Sequence, residues 1–166
     1  MKRLTVVPYL LLGACLALLT ATAVAAGWAI YEAKAYGFSM LIPSGTPVKE
    51  REWPGGWGGL TAQHDGVNLF GLAKLGAQPT DAEIEKFAVQ TIGIPASEWT
   101  KVDQGRNSNG WNRYRTFEAT KGAKLVFGAY GVGSKGAYLL YLETTPADFN
   151  AYRADYNAWY NSIRLH

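Results

Sequence analysis

Short apolar stretches separated by glycine and turn residues dominate the chain after residue 30. Gly37-Phe38-Ser39-Met40-Leu41-Ile42-Pro43 reads as an apolar strand stopped by a proline. Trp57–His64 and Val67–Leu75 flank Asp65-Gly66, a two-residue connection that favours a tight hairpin. Pro79-Thr80-Asp81-Ala82-Glu83 opens a helix, with Thr80 as N-cap and Glu83 completing a capping box. Ile84, Phe87, Ala88 and Ile92 fall on one face of that helix, and Gly93 and Pro95 end it.

The second half predicts a meander of four strands, Trp99–Gly105, Trp111–Ala119, Ala123–Val132 and Ala137–Glu143, with tight turns between them. The last of these is apolar at both parities, so it belongs in the middle of a sheet covered on both faces. Thr145-Pro146-Ala147-Asp148 begins a final helix with proline in its first position. Phe149, Tyr152, Tyr156, Tyr160 and Ile163 recur at helical spacing and predict a stripe packed on the core. Strands in runs with segregated helices give an α+β class: an antiparallel sheet, made of a hairpin plus a four-strand meander, flanked by helices.

Residues 1–26 lack this alternation. Lys2 and Arg3 precede an uncharged run to Ala26, and Ala23-Val24-Ala25-Ala26 supplies small residues for signal-peptidase cleavage. The expectation is an export signal over 1–26 followed by a single domain over 27–166, periplasmic or secreted after cleavage. Two alternatives use the same residues. The run is long enough to be retained as a membrane anchor. Leu12-Gly13-Ala14-Cys15 also matches a lipobox, which would make Cys15 a lipidated N-terminus and the protein an envelope surface protein.

Composition narrows the chemistry. The whole chain carries 16 basic and 13 acidic residues. Without Lys2 and Arg3, 14 basic residues face 13 acidic ones, a net charge of +1, which gives no electrostatic footprint for nucleic acid. One cysteine excludes an intramolecular disulfide, and with two histidines it argues against a zinc site. No metal or cofactor is expected.

Tyr36-Gly37-Phe38-Ser39-Met40-Leu41-Ile42-Pro43-Ser44-Gly45 resembles the opening strand and proline turn of the PsbP-like family. The closing stretch resembles that family as well: Ala137–Glu143 leads through Thr144-Thr145-Pro146 to a helix ending in Trp159-Tyr160-Asn161-Ser162-Ile163-Arg164. The resemblance is one of fold, a pattern of elements over most of residues 30–165 rather than a specific motif. It implies an antiparallel sheet flanked by helices. The family includes extrinsic subunits of photosynthetic complexes, bacterial envelope proteins and chaperone-like adaptors, so it also implies a non-enzymatic binding or assembly role. No residue set here carries over a photosynthetic role or a calcium or manganese site.

Candidate chemistry is sparse. Gly131-Val132-Gly133-Ser134-Lys135-Gly136 matches G-x-G-x-x-G, but a strand follows it where a dinucleotide site needs a helix. His64 beside Asp65 suggests a base with its orienting acid, yet neighbours on a strand point to opposite faces, so a surface turn is expected. His166, at the end of the sequence, is expected to be mobile. Asp81, Glu83 and Glu85 complement the dipole at a helix start. Lys49, Glu50, Arg51 and Glu52 read as a solvated edge strand.

Arg113 and Arg115 share a strand face and, with Lys124, suggest a small basic patch. Trp53-Pro54-Gly55-Gly56-Trp57-Gly58-Gly59 places two indoles in a glycine-rich loop. That loop suits an aromatic platform for a protein or a sugar, or rings folded over the core edge. The expected binding residues are therefore Trp53, Trp57, Arg113 and Arg115, with no catalytic residue named. The expected function is an exported, non-enzymatic binding or accessory protein with a protein partner in the cell envelope. The alternative is an envelope hydrolase or glycan-active enzyme with carboxylates beside the tryptophans.

Overall fold

Ten strands and three α-helices make up the computed structural model, which describes residues 27–166, and the elements that the sequence predicts occur in it in the predicted order. The expected export signal over 1–26, including Cys15, lies outside the described residues. The elements are β1 (Trp28–Ala33), β2 (Phe38–Pro43), β3 (Val48–Trp53), β4 (Trp57–His64), β5 (Val67–Leu75), α1 (Asp81–Ile92), β6 (Trp99–Ser108), β7 (Trp111–Lys121), β8 (Lys124–Gly133), β9 (Gly136–Thr144), α2 (Pro146–Ala151), α3 (Arg153–Ser162) and β10 (Arg164–Leu165).

β3 to β9 form one antiparallel sheet in the order β3-β4-β5-β9-β8-β7-β6. The strand that is apolar at both parities, β9, stands at its centre, between β5 and β8. Tyr138, Leu140 and Leu142 enter one core while Ala137, Leu139 and Tyr141 enter the other. The period-2 geometry of a strand makes that division unavoidable. The charged strand β3 is an edge of the sheet, as its alternating Lys49-Glu50-Arg51-Glu52 predicts.

α1 covers one face, burying Ile84, Ala88 and Ile92. Its start is the predicted capping box: the Glu83 amide donates to Thr80 Oγ1 (3.3 Å), and the Thr80 amide donates to Glu83 Oε2 (2.7 Å). It stops at Gly93, whose φ of 77° allows its amide to bond the Val89 carbonyl.

The opposite face is covered by a second, smaller sheet together with α2 and α3. β1, β2 and β10 pair antiparallel in the order β1-β2-β10. The sequence pattern predicts β2 but neither β1 nor β10. β10 is two residues long, too short for any periodicity, and β1 (Trp-Ala-Ile-Tyr-Glu-Ala) interleaves small and amphipathic residues without a clean alternation. Phe38 and Met40 reach the large sheet at Gly71.

The final helix is two helices. Tyr152, at φ −111° and ψ 24°, interrupts it between α2 and α3. This shifts the stripe: Phe149, Tyr156 and Ile163 are buried as expected, but Tyr152 is 52% exposed, and Trp159 takes the deepest position.

Candidate functional site

The glycine-rich loop between β3 and β4 divides its two tryptophans. Trp57 is 5% exposed and stacks on Phe87 of α1, with ring centroids 4.1 Å apart and planes 3° from parallel. The expected two-indole platform is therefore not present as a pair, because α1 supplies a flat partner that the loop sequence does not reveal. Trp53 is half-buried, with the Arg51 guanidinium 5.7 Å from its ring centroid, a cation–π distance. Trp53, Tyr36 and Leu75 border a shallow depression between the loop and the start of β2.

Arg113 and Arg115 do share a face, the one under α1, and both turn to Asp81. Arg113 Nε donates to Asp81 Oδ1 at 2.7 Å, and Arg113 Nη2 donates to the Pro79 carbonyl at 2.7 Å. Arg115 Nε lies 3.7 Å from Asp81 Oδ2, an ion-pair separation that is too long for a hydrogen bond. Lys124 is at the other end of α1, roughly 16 Å away along the helix axis. There it donates to the Ile92 carbonyl (2.6 Å) and to Glu143 Oε1 (2.8 Å). The three cations thus clamp both ends of α1 and do not form one patch, since α1 occupies the face on which they would have met.

The carboxylates of α1 are engaged in the same way. Glu83 belongs to the capping box, whose two bonds from Thr80 lower its pKa. Glu85 Oε2 accepts from the Tyr130 hydroxyl at 2.6 Å. The G-x-G-x-x-G run is a hairpin: Gly131 and Gly133 close β8, Ser134-Lys135 turns, and Gly136 opens β9. A Cβ at Gly131 or Gly136 would collide with the neighbouring strand backbone, so the glycines serve strand approach, as the following strand implies.

His64 and Asp65 do approach, with His64 Nε2 3.6 Å from Asp65 Oδ2, because Asp65 leaves the strand at φ 21°. His64 Nδ1 is 3.3 Å from Thr46 Oγ1. Both side chains are on the surface.

The concave feature that sequence reasoning missed lies between α3 and the outer face of the small sheet. It is a groove of about 590 Å³. Ile30 and Leu41 form its floor, and Ala154, Asn157, Ala158 and Asn161 of α3 form one wall. Those helix positions follow i, i+3, i+4, i+7, so they are the stripe opposite the aromatic one, small and polar where the other is large. That spacing was visible in the sequence, but with β1 unrecognised there was no opposing wall.

Polar groups close one end. His166 Nε2 is 3.1 Å from Ser39 Oγ and 3.5 Å from Glu32 Oε2, and the His166 amide donates to the Gly37 carbonyl. The final histidine therefore meets three groups at the end of the small sheet. A serine, a histidine and a carboxylate do not make a relay here: both neighbours meet the same ring nitrogen, whereas nucleophile activation needs one on each. Deeper in, Ser162 Oγ accepts from the Leu41 amide (2.8 Å) and donates to the Trp159 carbonyl (2.6 Å), which fixes α3 against β2.

No protein-family model and no curated protein matches the chain by sequence. Its fold is PsbP-like. The solution structure of cyanobacterial PsbP (CyanoP) from Synechocystis sp. PCC 6803 is similar, with a TM-score of 0.62 at 13% identity, over 86% of this chain and 94% of that one. Among the described residues no helix is long and apolar enough to cross a membrane.

Proposed function

We propose that the chain is an exported accessory protein that binds a partner protein in the cell envelope through the groove between α3 and the small sheet. The observation that carries the reading is the groove itself: apolar at its floor, amide-bearing along its helical wall and polar at one end. That mixture suits a polypeptide, which brings apolar side chains and main-chain amides together. The PsbP-like fold supports an accessory role by analogy of fold alone. The engagement of Asp81, Glu83, Glu85 and Glu143 in pairs that hold α1 in place favours it over the glycan-active alternative. Export rests on the leader pattern over 1–26.

The test is to fill the groove. Ala154 is exposed on the helical wall, so Ala154→Trp adds an indole to the groove without entering the core. Unchanged circular dichroism and melting, together with loss of the envelope protein recovered by wild type, is the expected result. Undiminished recovery would move the interface elsewhere. Intact mass of the exported protein checks the leader: a start near Ala26 or Gly27 is expected, whereas a lipid on Cys15 would make it surface-anchored.

A further inference from the structure

The groove's sheet wall ends in an open strand edge. β1 pairs with β2 on one side and with no strand on the other among the described residues. The register decides which of its main-chain groups are free. Leu41 sends its amide away from β1, to Ser162 Oγ, so the opposed pair Ile30–Leu41 is a non-hydrogen-bonded one. The Gly27 carbonyl accepts from Ser44 and the Ala33 carbonyl accepts from Gly37, which places the odd-numbered residues on the paired side. Trp28, Ile30 and Glu32 therefore direct their amides and carbonyls outward.

The other edges are guarded. β3 presents Lys49, Glu50, Arg51 and Glu52, and β6 presents Lys101, Asp103 and Arg106, the charges that discourage edge pairing. The β10 edge is occupied, since the Leu165 amide donates to the Asn109 carbonyl. β1 has one charged residue in six, Glu32, and its Ile30 is 52% exposed. Ile30 and Glu32 both line the groove, so whatever pairs with this edge also places alternate side chains along it.

Resting on the reading of the groove as a binding site, we infer that its occupant is an extended segment of the partner protein. The segment adds antiparallel to β1 as a fourth strand of the small sheet. The pairing specifies its chemistry. A residue opposite Ile30 is apolar, and the residue two places earlier, opposite Glu32, is basic, giving Lys-Xaa-Val. The two twofold registers centred within β1 do not supply that pairing from a second copy of this chain. A twofold pair centred on Ile30 sets each Glu32 against the other copy's Trp28, and one centred on Tyr31 sets it against Ile30. Neither supplies a cation.

The probe is a blocked peptide, acetyl-Thr-Lys-Thr-Val-Thr-amide, titrated into the 27–166 chain and followed by amide NMR shifts. Shifts at Trp28, Ile30, Glu32, Ala154 and Ala158 are expected, and Ile30→Pro should weaken binding about tenfold, the equivalent of one or two lost hydrogen bonds. Proline is tolerated at an outward edge position, and unchanged melting verifies that the variant folds. As a second arm, N-methylation of the peptide's edge-facing amides should have the same effect on the unmodified protein. Glu32→Lys should invert the preference toward the peptide with glutamate in place of lysine. Shifts along Ala154 and Ala158 that survive both Ile30→Pro and N-methylation would overturn strand addition while leaving the groove as the site. No shift in either place would overturn both readings. Self-association by sedimentation that Ile30→Pro abolishes would give the edge to a second copy and sink the partner segment.

Discussion

Gly71 shows how a single residue can set the distance between layers. A Cβ there would lie 2.4 Å from the Phe38 ring, so the small sheet can approach the large one only because that position has no side chain. Gly71→Ala should lower stability by about 1–3 kcal/mol through overpacking, read as a drop in urea midpoint at constant m-value. Trp57 is a second case. Its stack on Phe87 makes it a core residue, so Trp57→Ala should cost about 3–5 kcal/mol. Trp53→Ala, with its half-open ring, should cost markedly less in the same urea titration. From the sequence the two tryptophans were alike, one at each end of the same Pro54-Gly55-Gly56 loop. What separates them is Phe87, thirty residues further on, and no local pattern carries that contact.

At the scale of elements, the start and end of α1 were legible because capping is local: Thr80 acts with Glu83, three residues on, and Gly93 with Val89, four residues back. The C-terminal helix was legible as a stripe but not as two helices, since nothing in the chemistry of Tyr152 forbids a helix. At that break α2 packs on β8 of the large sheet while α3 packs on β2 of the small one. The consequence can be measured. Tyr152→Ala should leave thermal stability nearly unchanged, while Trp159→Ala, at a fully buried position, should cost about 3–5 kcal/mol. Equal effects at the two positions would mean that α2 and α3 behave as one continuous helix in solution.

For the whole molecule, both cores close over phenols. Burial raises the pKa of Tyr130, Tyr138, Tyr141 and Tyr156, with the hydrogen bond to Glu85 adding to the effect at Tyr130. Burial also pushes Tyr160 up to about 12. A phenol with a raised folded-state pKa binds its proton more tightly in the native state than in the unfolded one. Its stabilising effect is complete below the unfolded value, about 10, and is lost as pH rises through the folded value. Stability should therefore be insensitive to these groups below about pH 9 and fall steeply between about pH 10 and 12. Phenolate absorbance at alkaline pH should rise in two stages, with the second coinciding with loss of circular dichroism. A single smooth titration with the fold intact would show the five phenols to be solvated.

The sequence by itself determined what depends on neighbours along the chain: the α+β class, the hairpin at Asp65-Gly66, the capped start of α1, the charged edge β3 and the central place of β9. Each follows from side-chain period, turn conformation or capping, which act over a few residues. The tertiary structure alone decided where faces meet. It put α1 over the strand face bearing Arg113 and Arg115 and so used those cations as a clamp on Asp81. It laid Phe87 on Trp57, and it brought the small stripe of α3 against β1 and β2 to make the groove. Juxtaposition of residues more than a hundred positions apart, such as Ser162 with Leu41, is fixed by the packing of whole surfaces, and no local period encodes it.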